Sequence, residues 1–137
     1  MALLWNDEID VNIVSYSNHH IDAVIYVVKG NTWRCTRIYG YPESMQKRHT
    51  WMLLKRLASL FNYLWLCFGD FNEILNLNEK LGGNDQNLNM VVDFREAMND
   101  CNLVDLGCKG YPFTWSNKIY GPHLIEERLD RFLRSKD

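Results

Sequence analysis

The sequence lacks the marks of several broad protein classes. No apolar run reaches the roughly 18 residues of a membrane helix. Met1-Ala2-Leu3-Leu4-Trp5 meets acid at Asp7 and Glu8, too early for a signal-peptide core. Cys35, Cys67, Cys101 and Cys108 contain no C-x-x-C pair, and three of them sit among apolar neighbours. They read as buried free thiols in a reducing compartment, not as a disulfide framework. His19-His20 has no partner at zinc-ligand spacing and reads as surface or loop histidine. There is no P-loop, dinucleotide glycine pattern, glycosylation sequon, internal repeat or low-complexity tract. Excess positive charge is missing too: the net charge is −2, where phosphate binders usually carry a positive balance. The basic clusters Lys47-Arg48, Lys55-Arg56 and Arg128 to Lys136 read as solvated faces. These absences describe a soluble, intracellular chain and leave a nucleic-acid substrate open.

What is present is enough for a core. The chain has 137 residues, 47% hydrophobic and 13% aromatic, which is one domain's worth and excludes a disordered polymer. The first forty residues read as strands: 9–16 places Ile9, Val11 and Ile13 on one face, and 20–28 is apolar enough for burial on both sides. The turn Lys29-Gly30-Asn31 joins that second strand to 32–39 as an antiparallel hairpin. A helix is predicted after Pro42, because Leu54, Leu57, Ala58 and Phe61 fall at helical spacing while Lys47, Arg48, Lys55 and Arg56 face elsewhere. Asn, Gly and Asp make 76–89 a loop. Val91, Phe94, Met98 and Cys101 predict a second helix over 89–101. Short strands follow at 103–106, 113–116 and 127–133. The alternation predicts an α/β (α+β) chain, a mixed sheet with helices outside. The whole of 1–137 reads as a single domain.

One stretch carries the functional signal. Leu64-Trp65-Leu66-Cys67-Phe68 has the continuous apolar run of a strand buried on both faces. It stops at Gly69 and delivers Asp70 and Asn72 at the strand end, inside Gly69-Asp70-Phe71-Asn72. Sheet-based enzymes often build their chemistry at such an end. Alone, the tetrapeptide is more often a polar turn. Three further signals follow the same logic: Tyr39 at a strand end, Thr114 in Phe113-Thr114-Trp115-Ser116-Asn117, and Asp130 in Arg128-Leu129-Asp130-Arg131. Each has an ordinary reading. Tyr39 could be a strand aromatic with an exposed hydroxyl, Thr114 plain sheet surface, and Asp130 a partner of its flanking arginines. Glu73 and Glu79 read as solvated loop charges, Asp105 as structural, and Trp51, Trp65 and Trp115 as core.

In this order, the segments Ala2-Leu3-Leu4-Trp5-Asn6, Ile38-Tyr39-Gly40-Tyr41-Pro42-Glu43, Trp65 to Leu75, Leu103 to Gly107 with Phe113 to Asn117, and Glu127 to Leu133 resemble the endonuclease/exonuclease/phosphatase family. The resemblance is nearest to the endonuclease domain of plant LINE-type non-LTR retrotransposons and runs from about Ala2 to Leu133. It implies a DNase-I-like fold, a four-layer αββα sandwich with mixed, largely antiparallel sheets. The implied activity is Mg²⁺-assisted phosphodiester hydrolysis on DNA, with a nuclear location compatible. In that reaction a cation neutralises the phosphate, a basic group orients water and donors stabilise developing charge. By resemblance, Asp70 orients or activates the water and Asn72 gives amide hydrogens to the phosphate. Tyr39 offers its hydroxyl to the phosphate or the departing oxygen, Asp130 supports the site, and Thr114 lies near the bound strand.

The chain also departs from the family. The family's early strands carry an Asn and a metal-ligating Glu, which would precede Met1. Its closing Ser-Asp-His segment would follow Asp137. Neither His19, His20, His49 nor His123 matches that histidine. No metal ligand is therefore assigned, and the expectation is a sandwich truncated at both ends and inactive alone, with Mg²⁺ binding by this chain in doubt. A non-catalytic remnant or binding module, or a related phosphatase-type hydrolase, stands as the alternative.

Overall fold

The computed structural model describes residues 1–136. In chain order the elements are β1 (Asp10–Tyr16), β2 (His20–Tyr26), β3 (Trp33–Tyr39), α1 (Lys47–Leu60), β4 (Leu64–Asp70), β5 (Lys80–Leu81), α2 (Leu88–Asp100), β6 (Leu103–Asp105), β7 (Trp115–Ser116), β8 (Glu126–Glu127) and β9 (Asp130–Ser135). Six strands form one sheet in the order β1-β2-β3-β4-β9-β6, and β5-β8-β7 form a small second sheet. β3 and β4, joined through α1, run parallel; the other pairs are antiparallel.

Alternation along the strands decides which residues meet the helices. Ile38, Trp65, Cys67, Leu103 and Leu133 point to one face, where they pack with Trp51, Leu54 and Leu57 of α1 and Phe94, Ala97 and Met98 of α2. Trp51 stacks on Phe94 at 4.4 Å between ring centroids. A buried polar group sits under the end of α1. Arg34 makes a two-point ion pair with Asp22 at 2.8 and 2.7 Å, and its third nitrogen caps the Leu57 carbonyl at 2.6 Å. That carbonyl is one of the helix's last four, which lack partners within the helix. Helices on a mixed, largely antiparallel sheet are one half of an αββα sandwich, as the sequence predicts.

The structure corrects several sequence expectations. The 64–68 strand is buried on one face only: Trp65 and Cys67 are covered, whereas Leu64 is 49% exposed and Leu66 and Phe68 are half-buried. An apolar run reports that both faces are apolar, not that both are covered. The first nine residues are not a strand; Leu3 instead packs on Ala23, Ile25 and Cys35 from the face opposite the helices. His20 is buried, its two ring nitrogens bonded to the hydroxyls of Ser15 and Ser17 at 2.9 and 2.8 Å. Phe61 falls just past α1 and is partly exposed. Trp51 and Trp65 are core, but Trp115 is 43% exposed on the small sheet, which contributes no residue to the core clusters among the described residues. All four cysteines are free, and Cys108 is the exposed one.

Candidate active site at the ends of three strands

Strand register brings three of the sequence candidates into one row. Tyr39 ends β3 and pairs with Asp70 at the end of β4, which pairs in turn with Asp130 at the start of β9. Residues directly opposite across a ladder project from the same sheet face. With Met1, Asn18 and Arg37 they line a cavity of about 360 Å³ on the face away from the helices.

Two glycines let the backbone close up beneath this row. A Cβ on Gly69 would lie 2.1 Å from the Ile38 carbonyl oxygen, and the residue has φ +133°. A Cβ on Gly40 would lie 2.5 Å from the Phe71 carbonyl oxygen. Gly40 N–H donates to the Asp70 carbonyl at 2.7 Å, which ties the end of β3 to the turn after β4. No side chain larger than hydrogen fits between them.

That turn is built by Asp70 and Asn72 themselves. The Asp70 Oδ1 accepts from Asn72 N–H at 2.9 Å, and Asn72 takes the left-handed conformation at φ 53° that Asn tolerates. Its side-chain amide donates to the Gly40 carbonyl at 2.7 Å. One of its two amide hydrogens is thus committed, and one is left for an anion. Burial pushes the Asp70 carboxyl above the ordinary aspartate range and Asp130's charge adds to this, while the Asn72 bond and Lys47 oppose it. Asp70 is accordingly a stronger base than a free aspartate.

Asp130 does not pair with its neighbours. Arg128 and Arg131 reach instead to Glu79 and Asp105, at 2.8 to 3.1 Å. Period-two alternation sends Arg131 to the helix face and Asp130 to the open one. Thr114 is brought to the same place, but as a clamp. Its Oγ1 accepts from the backbone N–H groups of Leu129 and Asp130 at 2.9 and 3.0 Å, fixing where β9 begins. Its own hydroxyl proton is still available to a strand bound nearby.

Local sequence reasoning missed the supports of this site. Glu73 is not a solvated charge: it is 1% exposed, accepting from Lys47 at 2.9 Å, Gln86 at 2.7 Å and its neighbour Ile74 N–H at 2.9 Å. Glu79 is also buried, with its pKa held low; burial raises it, but the Arg131 bond and charge outweigh that. The available signal was position. Glu73 lies between Phe71 and Ile74, both fully buried, so its side chain had to find partners inside. Asp105 is structural, as expected, bonded to Arg128 and Arg131.

Among the described residues, no three His, Cys, Asp or Glu side chains converge as a metal site. Asp70 and Asp130 offer two carboxylates, the usual protein share for Mg²⁺ when water and substrate phosphate complete the shell. One Asp70 oxygen already serves the turn. These side chains do not make a self-sufficient cation site.

No family model matches the chain, and no curated protein matches it by sequence. Solved structures do match. The endonuclease domain of TRAS1, a telomere-specific non-LTR retrotransposon, superposes with a TM-score of 0.72 over 98% of this chain, at 15% identity. The fold is DNase-I-like. Beta toxin of Staphylococcus aureus shares it with a TM-score of 0.58 over 86% of this chain, at 14% identity. The DNase-I-like fold seen here spans 59% of the retrotransposon domain's length and 43% of the toxin's.

Proposed function

We propose that this chain is the phosphate-holding and water-orienting part of a metal-dependent retrotransposon endonuclease domain acting on DNA within the nucleus. The observation that carries the reading is the row Tyr39-Asp70-Asp130, with Asn72 folded against it, at the adjoining ends of three strands. The retrotransposon endonuclease of the same fold supports it.

The chemistry follows from the side chains. A phosphodiester lying over the row meets the free amide hydrogen of Asn72 and the phenol of Tyr39, both donors to its anionic oxygens. Asp70, with its raised pKa, accepts a proton from the water it orients. Asp130 adds negative charge beside it, which helps to keep Asp70 basic and favours a cation brought with the phosphate. In this fold family Mg²⁺ supplies charge neutralisation on the phosphate. The ligand set here does not hold such an ion by itself, so the chain alone binds DNA and cleaves little or none. Groups that act as a unit lose nearly all rate when one is missing.

The test is relaxation of supercoiled plasmid in Mg²⁺ with an EDTA control, alongside DNA-binding titrations of the folded protein. The expected result is no nicking, with binding weakened in Asn72→Ala. Nicking that needs both metal and Asp70 would overturn the inactivity. Binding indifferent to Asn72 would overturn the site and leave a non-catalytic remnant.

A further inference from the structure

Beside the row runs a strip of rings of which the proposed hydrolysis uses only Tyr39. His19 lies 6.1 Å from Tyr39 between ring centroids at an interplanar angle of 17°, and 3.7 Å from Tyr41 at 15°. Tyr41 continues to His49 at 5.5 Å, there tilted by 47°. Four rings from the β1–β2 turn, the end of β3, the segment after it and the first turns of α1 thus make one path. It starts at Tyr39, which lines the cavity of the candidate phosphate site, and none of its rings is fully buried: Tyr39 and His49 are exposed, His19 and Tyr41 half-exposed.

The strip is held rigidly. His19 and Tyr39 exchange backbone and side-chain bonds: Tyr39 N–H donates to the His19 carbonyl at 2.9 Å, and the His19 Nδ1 contacts the Tyr39 carbonyl at 2.8 Å. A carbonyl only accepts, so Nδ1 carries the proton. The Thr50 hydroxyl accepts from Tyr41 N–H at 2.9 Å. None of these rings belongs to the three core clusters, so packing the core does not explain their alignment. Partly exposed rings next to a phosphate-binding point, three of them near-parallel, are the elements of a single-strand platform, on which bases stack without regard to sequence.

We propose that the strip His19-Tyr41-His49 binds unpaired bases of a DNA strand whose phosphate sits at Tyr39 and Asn72, so that the preferred ligand is single-stranded or locally unpaired DNA. This rests on the reading of the site as a phosphodiester site, yet it can fail separately. A paired base presents only its edge to such a platform, whereas an unpaired one offers its face.

The probe is a fluorescent ten-nucleotide oligothymidylate, with a matched duplex and a version carrying two central abasic residues, titrated by anisotropy. The single strand should bind at least tenfold more tightly than the duplex. Tyr41→Ala should weaken it about tenfold, since stacking is worth roughly 1–3 kcal/mol per base and 1.4 kcal/mol is a factor of ten. Tyr41→Phe, which keeps the ring, should restore it. The abasic strand should bind wild type as weakly as the full strand binds Tyr41→Ala. His49→Ala, on an exposed surface, serves as second variant where Tyr41→Ala does not fold. Equal affinity for duplex and single strand, or variants within twofold of wild type, would overturn the platform. That result would leave the phosphate site standing if Asn72→Ala still weakened binding. Ring-dependent binding indifferent to Asn72 would instead keep the platform and sink the phosphate site.

Discussion

Two groups of carboxylates flank β9, and they live under opposite rules. On the helix face, Glu79 and Asp105 are enclosed by Arg128 and Arg131, and both have pKa values held low. Burial opposes this in each. The arginine bonds win at Glu79; at Asp105 the Gly107 N–H bond and then the arginines do. On the open face, Asp70 and Asp130 sit together with neither arginine, and burial with mutual repulsion pushes Asp70 up. Asp130 and Arg131 are adjacent in the chain, so a single alternation of the strand separates the two regimes. A saturated ion network locks the fold, while an unpaired acidic couple costs stability and keeps a basic group available.

The largest break in this comparison is Arg131→Met. It strips Glu79 and Asp105 of a buried partner, and removing one member of a buried pair costs about 3–5 kcal/mol. Urea unfolding followed by tryptophan fluorescence should show that loss or outright failure to fold; a change under 1 kcal/mol would mean Arg128 suffices. On the open face, Gly40→Ala drives a methyl into the Phe71 carbonyl. It should cost about 1–3 kcal/mol by overpacking, and DNA binding should fall with it as Asn72 loses its anchor. Thr114→Val removes the acceptor for two N–H groups. A loss of about 1 kcal/mol in the same unfolding assay is expected, since a typical hydrogen bond is worth that much net.

Asp70→Asn should act in the opposite direction. The amide still accepts from Asn72, while the repulsion from Asp130 and the cost of burying a charge disappear. The variant should be more stable at neutral pH, by less than about 1 kcal/mol because the site is half-solvated and screened, and inert in any cleavage assay of a completed site. Lower stability would show that the two carboxylates do not repel.

Acid sharpens the same contrast through linkage. Glu79 and Asp105 have depressed pKa values, so their stabilisation is full above their unfolded values, 4.5 and 3.8, and is lost as pH falls through the lower folded ones. Asp70 is raised above 3.8, so its share is full below that value and disappears as pH rises through its folded pKa. Between neutral pH and pH 3, the wild type's advantage over Arg131→Met should shrink, and so should the advantage of Asp70→Asn over wild type. Parallel pH profiles for all three would contradict this assignment of charges.

How far the sequence could be read depended on the range of the interaction. Both helices follow from spacing: Leu54 and Leu57 in one, Val91, Phe94 and Met98 in the other, are buried where periodicity puts them. The β2–β3 hairpin follows from its turn, and the strand-end positions of Tyr39 and Asp70 from where the strand patterns stop; Asp130, expected inside a strand over 127–133, instead begins β9 because that stretch divides between the two sheets. Coverage was not legible at Leu64, Leu66 and Phe68, because an apolar side chain does not state what lies opposite it. The fates of Glu73 and Glu79 were hidden as well. Each depends on cations 26 to 52 residues away, and no local window contains both partners.

The sequence by itself determined both helices, the β2–β3 hairpin and the strand-end place of Asp70, all consequences of short-range pattern and turn chemistry. Tertiary structure decided which acids were neutralised by arginine and that Asp70 was left the stronger base. It also brought the rings of His19, Tyr39, Tyr41 and His49 together. Strand register and long-range arginines set those outcomes, and both exist only once distant segments have paired.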